Sequence, residues 1–155
     1  MEDLQIVRYY LLTIGSFKEL TNLRYHKTQQ YREHHDWFYD DHEDLVRWGN
    51  RVSSFFVYLV ANCTGGNTIF PNVPRPVEPE FCDILKCTNE DGSPVEAVEV
   101  KPKQGTAVFW YNLDPEGSGQ WETLHAGLPV DEGTKVGLNI WTRNKKVRSY
   151  WDDEE

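Results

Sequence analysis

The sequence lacks any long apolar run. No stretch approaches the ~18 consecutive apolar residues that a membrane-spanning helix requires. The opening residues, MEDLQIVRYYLLTIG, begin with acidic side chains and carry no basic region ahead of an apolar one. They therefore do not have the pattern of a cleaved signal peptide, and neither a leader nor a membrane span is expected.

Basic residues are also scarce. The chain has 16 Lys and Arg against 25 Asp and Glu, which gives a formal net charge of −9. Because a protein that binds a phosphate backbone needs a basic surface, nucleic acid is not expected as a partner. A basic or neutral peptide is compatible with this charge.

Cysteine is nearly absent. Three cysteines are too few for a disulfide scaffold. Cys82 and Cys87 are close enough in sequence to pair across a short loop, which would leave Cys63 single. Whether they pair depends on the redox compartment, which the sequence does not reveal.

Helical periodicity is hard to find, and residues 42–50 (HEDLVRWGN) are the best short helix candidate. Residues 72–81, with three prolines, are expected to form an extended loop. Strands are predicted over residues 51–61, 106–113, 125–130 and 134–143, the last two as a hairpin around the DEG turn. A chain of 155 residues fits one domain. We therefore predict a single all-β domain over residues 1–155, a sandwich or jelly roll with minor helix.

The twelve positions from Glu33 to Asp44 hold three histidines and six carboxylates. On a strand, His34 and Asp36 would face the same side and could bind one ion, while His35 would face away. His125 is the candidate for a third ligand. For an isolated His-x-Asp triplet, a solvated surface pair is the commoner explanation, and the acidic runs DDHED and DDEE are interpreted as solvated charge.

A lysine follows ten residues after His125. Along TKVGLNIW, Lys135, Gly137, Asn139 and Trp141 would share one face of a strand. If that face lines a barrel interior, the charge of Lys135 needs an anionic partner, and Gly137 would leave room for a ligand. The alternative is an ordinary exposed lysine on an edge strand.

Several stretches occur in a recognisable order between Tyr25 and Arg143: YHKTQQYREHHDWF, RVSSFFVYLV, GGNTIFP, KPKQGTAVFWYNL and TLHAGLPVDEGTKVGLNIWTR. Together they resemble the prolyl 4-hydroxylase type of iron(II)- and 2-oxoglutarate-dependent dioxygenases, especially fungal members. The resemblance implies a double-stranded β-helix (a cupin-like jelly roll) in which His34, Asp36 and His125 hold Fe(II). It also implies that Lys135 pairs with the distal carboxylate of 2-oxoglutarate. Tyr25 and Tyr58 match positions that line the cosubstrate pocket in relatives, and Trp141 is expected in the pocket wall or core.

The resemblance implies hydroxylation of a peptidyl proline by O₂, with decarboxylation of 2-oxoglutarate to succinate and with ascorbate as a further cofactor. Another side chain or a small molecule could instead be the target. Zinc also accepts two His and one Asp, but a zinc hydrolase would not require Lys135. The alternative from a different class is a non-catalytic jelly-roll binding module, or an inactive truncated remnant of the enzyme.

The sequence departs from its relatives near its N-terminus. Relatives carry several dozen residues of supporting helix and strand before the Tyr25 region, so truncation and an uncovered apolar sheet face are expected. Residues 9–24 (YYLLTIGSFKELTNLR) interrupt an otherwise continuous match and are interpreted as an insertion, either a translated intron, which transcript sequencing would decide, or a genuine helix or loop. Relatives often have Gly in place of Thr28. Localisation, in the endoplasmic reticulum or the cytoplasm, and oligomeric state stay open.

Overall fold

The computed structural model describes residues 5–13, 16–39 and 42–145, with side chains from Thr21 onward. Asp40, Asp41 and the C-terminal DDEE, interpreted above as solvated charge, lie outside the described residues. No helix within the described ranges has the length and apolar character needed to span a bilayer.

The described chain is dominated by antiparallel strands in two sheets. The first sheet has the order β1-β2-β9-β4-β7 and the second the order β3-β8-β5-β6. The strands of the first sheet are β1 (Gln5–Thr13), β2 (Ser16–Tyr25), β4 (Arg51–Gly65), β7 (Ala107–Tyr111) and β9 (Val130–Arg143). Those of the second are β3 (Tyr31–His34), β5 (Thr68–Pro74), β6 (Ala97–Val100) and β8 (His125–Gly127). The predicted all-β jelly-roll core is confirmed.

One short α-helix, α1 (Glu43–Trp48), lies where the helix was predicted. The backbone N–H of Asp44 donates to Nδ1 of His42, the N-cap residue, at 3.2 Å. Acidic residues occupy the first turn and Arg47 the last, as the helix dipole favours. The prediction of a short helix within residues 42–50 is confirmed.

The predicted hairpin between residues 125–130 and 134–143 is wrong. β8 pairs with β3 and β5 in the second sheet, whereas β9 pairs with β2 and β4 in the first. The DEG segment lies inside β9. Gly133 adopts φ +82° there, and an added Cβ would lie 2.1 Å from the carbonyl oxygen of Asn62. Glycine is therefore needed for close backbone approach to β4, not for a hairpin turn.

The proline-rich segment is more ordered than predicted. β5 extends to Pro74, and Pro79–Asp83 forms a 3₁₀ helix, so the prediction of an extended loop holds only between these elements. The Cys82–Cys87 disulfide is formed, with the Cα atoms 5.5 Å apart, within the range that the bond requires. Cys63 is free and half-buried.

Residues 9–24 are neither helix nor loop in the described structure. Residues 9–13 belong to β1 and residues 16–24 to β2, and β2 pairs with β9 from Lys18↔Thr142 to Tyr25↔Lys135. This pairing places Tyr25 beside Lys135. The intron hypothesis stays a prediction for transcript sequencing. Thr28, in the turn before β3, has φ 69°, which explains why glycine suits that position.

The two faces of the first sheet differ in burial. On β4, Ser54, Phe56 and Tyr58 point inward and are buried, whereas Phe55 and Leu59 are each 40% exposed. On β7, Phe109 is 49% and Tyr111 61% exposed. These four side chains make the outer face of β4 and β7 apolar and partly open to solvent.

The inner face of the first sheet packs against the second sheet in an aromatic core. This core contains Leu23, Tyr25, Phe56, Tyr58, Phe70, Trp110 and Val130. The interpretation that Gly137 leaves room for a ligand is wrong, because an added Cβ would lie 2.2 Å from Cζ of Phe56. The Phe56 ring fills the space above Gly137.

We expect Gly137→Ala to destabilise the protein by about 1–3 kcal/mol, because the new methyl group displaces the buried Phe56 ring. Gly127→Ala in β8 is the matched control, since its Cβ would make only ordinary contacts of 3.5 Å or more. Thermal or urea unfolding of both variants measures the difference. Equal stability of the two variants would contradict this reading of the core.

Candidate active site

His34, Asp36 and His125 meet at one point between β3 and β8. His34 is the last residue of β3 and pairs directly with His125, the first residue of β8. Asp36 lies in a bend beyond the end of β3, so the assumption of a shared strand is wrong, yet the carboxylate still reaches both histidines. Oδ1 of Asp36 is 3.6 Å from Nε2 of His34, and Oδ2 is 3.9 Å from Nε2 of His125. One ligand atom from each residue lies within 4.8 Å of the others.

Backbone carbonyls fix the tautomer of both imidazoles. Nδ1 of His34 is 2.7 Å from the carbonyl oxygen of Arg32, and Nδ1 of His125 is 2.9 Å from that of Thr123. Because a carbonyl only accepts, each Nδ1 carries the proton and each Nε2 offers its lone pair to the shared point. Metal-ligating histidines show this arrangement, and two imidazoles with one carboxylate fit Fe(II).

The protonation states also suit a metal. Burial opposes ionisation of Asp36, but the neighbouring imidazoles of His34 and His125 and the charge of Arg51 outweigh it, so the pKa of Asp36 lies below its usual range. Burial lowers the pKa of His125, and the negative charge of Asp36 opposes part of this shift. At neutral pH the site therefore offers a carboxylate and neutral imidazole at His125, the forms that bind metal.

Asp36 is held by groups that sequence analysis missed. Oδ2 accepts hydrogen bonds from the Ser54 hydroxyl and, at 2.9 Å, from Nε1 of Trp141. The Arg51 guanidinium stacks 3.7 Å from the centroid of the Trp141 ring. Two adjacent serines on a strand were the available signal, because one of them must face the core and a buried hydroxyl needs a partner.

One pocket is lined both by the two histidines and by Lys135. Nζ of Lys135 donates to the carbonyl oxygen of Gly66 at 2.5 Å and lies 4.4 Å from the centroid of the Tyr25 ring. Lys135 is fully buried, and burial lowers its pKa to about 8. Among the described residues, no carboxylate forms an ion pair with it. The pocket is lined by Leu23, Tyr25, Tyr31, His34, Phe56, Thr68, Trp110, His125, Gly127, Lys135 and Asn139.

Tyr25 and Tyr58 occupy different positions relative to this pocket. Tyr25 lines it. Tyr58 is not among the lining residues, and its hydroxyl instead donates to Oγ1 of Thr68, a lining residue, at 2.8 Å. Burial raises the pKa of both tyrosines, so both remain protonated donors at neutral pH.

The remaining histidines lie outside the ligand group. Nε2 of His35 is 3.3 Å from the carbonyl oxygen of Trp121, and its ring packs against Trp37 and Trp121. His42 caps α1, and Nδ1 of His26 is 3.4 Å from the Thr134 hydroxyl. Of the histidines, the structure brings only His34 and His125 to the shared point with Asp36 within the part of the chain that it describes.

A second cavity shares His34 and Asp36 with this site. It opens beside Thr21, Tyr31, Arg51, Asn139 and Trp141. Trp141 therefore forms a wall of the second cavity, while Lys135 belongs to the first.

The chain is similar in sequence to known proteins. The family model described as the 2OG-Fe(II) oxygenase superfamily matches residues 20–143, so the match begins within the segment interpreted as an insertion. The chain is 33% identical over 126 residues to the probable prolyl 4-hydroxylase 4 of Arabidopsis thaliana, covering 80% of this chain and 41% of that protein. It is 32% identical over 137 residues to the prolyl 4-hydroxylase subunit alpha-1 of Gallus gallus, covering 86% of this chain and 22% of that protein.

Solved structures share the fold. The viral collagen prolyl hydroxylase of Paramecium bursaria Chlorella virus-1, in its 2-oxoglutarate complex, is similar with a TM-score of 0.56 and 32% identity, over 83% of this chain and 59% of that one. The chain thus spans less than half the length of the two curated relatives named above. The extent of the family match, together with the geometry of His34, Asp36 and His125, shows that the chain belongs to the 2OG-Fe(II) oxygenase superfamily.

Proposed function

We propose that the chain is an iron- and 2-oxoglutarate-dependent dioxygenase that hydroxylates a prolyl residue of a peptide or protein. One observation carries the proposal. A fully buried lysine without a carboxylate partner among the described residues lines a pocket. The same pocket is also lined by the two histidines that could bind a metal.

Lys135 supports a dianionic cosubstrate. A buried ammonium group is costly unless an anion pairs with it, and a carboxylate entering from the metal side would supply that anion. His34, Asp36 and His125 contribute one negative charge to a divalent ion, so the loaded site keeps a net positive charge that favours the other end of 2-oxoglutarate. Lys135 would anchor the distal carboxylate as a point charge.

Fe(II) bound there would supply the activation of O₂, by which one oxygen atom enters the substrate C–H bond and the other enters succinate as CO₂ leaves. The chain's own residues position the reactants and exclude water. The rings of Phe70 and Trp110 pack 5.5 Å and 4.8 Å from the ring of His125. They shield the ligand from solvent, which strengthens electrostatic interactions inside the site.

The second cavity would receive the substrate. It reaches Asp36 and His34 from the side of Arg51 and Trp141, so a target carbon there would lie beside the metal without displacing the cosubstrate near Lys135. Proline as the target is supported by the names of the relatives, prolyl 4-hydroxylases from a plant and from chicken, and the acidic charge of the chain is compatible with a basic or neutral peptide. Ascorbate as a cofactor rests on the family resemblance alone.

Succinate release from 2-oxoglutarate, measured with a panel of proline-rich peptides, tests the proposal. We expect succinate and a peptide that gains one oxygen atom on a proline, located by tandem mass spectrometry. Matched peptides with alanine in place of proline are the control. Succinate release with oxygen added only at another residue would overturn proline as the target. A chain that never consumes 2-oxoglutarate would instead support the non-catalytic binding module or the inactive remnant.

The binding of 2-oxoglutarate should weaken above pH 8. Lys135 has a pKa of about 8 because of burial, and only its protonated form pairs with the distal carboxylate. The affinity for 2-oxoglutarate should therefore be constant below that pH and fall by roughly tenfold per pH unit above it. The fall should end at the pKa that Lys135 has in the complex with 2-oxoglutarate. Calorimetric titration in the presence of Mn(II) measures this profile, and Lys135→Met should remove the step. A wild-type profile that matches the variant's would contradict the role of Lys135.

A further inference from the structure

Three buried polar side chains form a chain of hydrogen bonds behind the metal-ligating group. Nδ2 of Asn112 donates to Oγ of Ser54 at 2.8 Å, and the Ser54 hydroxyl donates to Oδ2 of Asp36. Asn112 and Ser54 are fully buried, and Asp36 is 2% exposed. They come from distant parts of the sequence, since Ser54 lies in β4, Asn112 follows β7 and Asp36 follows β3.

The direction of this chain follows from the donors available. An ionised carboxylate only accepts, so the single proton of Ser54 must point to Asp36. The hydroxyl oxygen then accepts from Asn112, which must present its amide nitrogen. The backbone holds Asn112 in place from both sides, because its N–H donates to Val52 and its carbonyl oxygen accepts from the N–H of Gln120, each at 2.8 Å.

The two oxygens of Asp36 are consequently unequal. Oδ2 accepts from Ser54 and from Nε1 of Trp141, which uses about two acceptor positions, as many as one carboxylate oxygen offers. Oδ1 lies 3.6 Å from Nε2 of His34 and keeps its lone pairs for a metal.

We propose that Asn112 and Ser54 are positioning residues that restrict Asp36 to metal ligation through Oδ1 alone. The inference rests on the metal site of the proposed function and goes beyond it, because it states how the fold limits this carboxylate to one coordination position. A carboxylate that bound through both oxygens would take a position that the cosubstrate or O₂ needs. Asn112 acts only through Ser54, by preventing the hydroxyl proton from turning away from Asp36.

The test measures metal affinity and the visible spectrum of the Co(II) form, both without turnover. Ser54→Ala should weaken Co(II) binding by roughly 10–100-fold, as loss of an outer-shell partner does, and should change the Co(II) bands because Oδ2 becomes available. Asn112→Leu should weaken Co(II) binding less than Ser54→Ala does, since the Ser54 hydroxyl can still donate to Asp36. The double variant should match Ser54→Ala, because the two residues act in series. Ser54→Thr keeps the hydroxyl and should restore the wild-type spectrum.

Ser53→Ala is the matched control. Ser53 is the neighbouring buried serine of β4, and its hydroxyl bonds to Oγ1 of Thr142 at 2.7 Å, not to Asp36. It should change thermal stability without changing Co(II) affinity or spectrum. Wild-type affinity and bands in folded Ser54→Ala and Asn112→Leu would overturn the inference, as would equal losses in Ser53→Ala. Absence of Co(II) binding by the wild-type chain would instead overturn the proposed function.

Discussion

Replacing His125 by alanine is expected to abolish metal binding that depends on 2-oxoglutarate, together with all succinate release. In the proposed site the imidazole would supply one of three ligand atoms. Loss of an outer-shell partner weakens metal affinity by up to roughly 10²-fold, and loss of a ligand should weaken it at least as much. Equilibrium dialysis with Mn(II), with and without 2-oxoglutarate, measures the loss.

Two further variants separate this effect from misfolding. His125 packs against Phe70 and Trp110, so alanine leaves a cavity, whereas Asp36→Asn changes the charge of another ligand without changing its size. His35→Ala removes an imidazole that contacts Trp37 and Trp121 instead and should keep the affinity for Mn(II). Wild-type affinity in His125→Ala, or equal losses in all three variants, would contradict the assigned ligands.

Lys135→Met should weaken 2-oxoglutarate binding by roughly 10²–10³-fold, because the distal carboxylate would then be buried without a partner. Methionine is unbranched and of similar length, and removal of a buried cation whose pKa is lowered by burial should not destabilise the fold. Affinity for Mn(II) alone should stay unchanged, which distinguishes this variant from the ligand variants.

Lys103→Met provides the matched control for charge. Lys103 is exposed, so the same substitution there changes the net charge equally without touching the pocket. Calorimetric titration of both variants with 2-oxoglutarate makes the comparison. Similar affinities in Lys135→Met and Lys103→Met would show that the buried ammonium group does not bind the cosubstrate.

Local pattern and spacing were sufficient to indicate part of the site. The alternation of β9 placed Lys135, Asn139 and Trp141 on one face, and all three line one or both of the two cavities. The His-x-Asp triplet and His125 became a specific signal only through the resemblance. Their meeting depends on the pairing of β3 with β8, which joins residues 91 positions apart in the sequence.

The errors arise where non-local packing decides. The segment DEG has the composition of a hairpin turn, but β8 and β9 find their partners in different sheets, and local sequence does not encode that choice. Gly137 was correctly placed on the inner face, yet a pattern cannot show that a ring from β4 fills the space above it. The contacts of Ser54 and Asn112 with Asp36 and with each other join distant parts of the chain, so the sequence showed at most that one of two adjacent serines is buried.

Anomalous diffraction from crystals of this chain, grown without oxygen in the presence of Mn(II) and 2-oxoglutarate, would locate the metal directly. The proposed function predicts one metal peak within bonding distance of Nε2 of His34, Oδ1 of Asp36 and Nε2 of His125, with the distal carboxylate of 2-oxoglutarate on Nζ of Lys135. A metal bound elsewhere, or a 2-oxoglutarate that leaves Lys135 in contact only with Gly66, would contradict it.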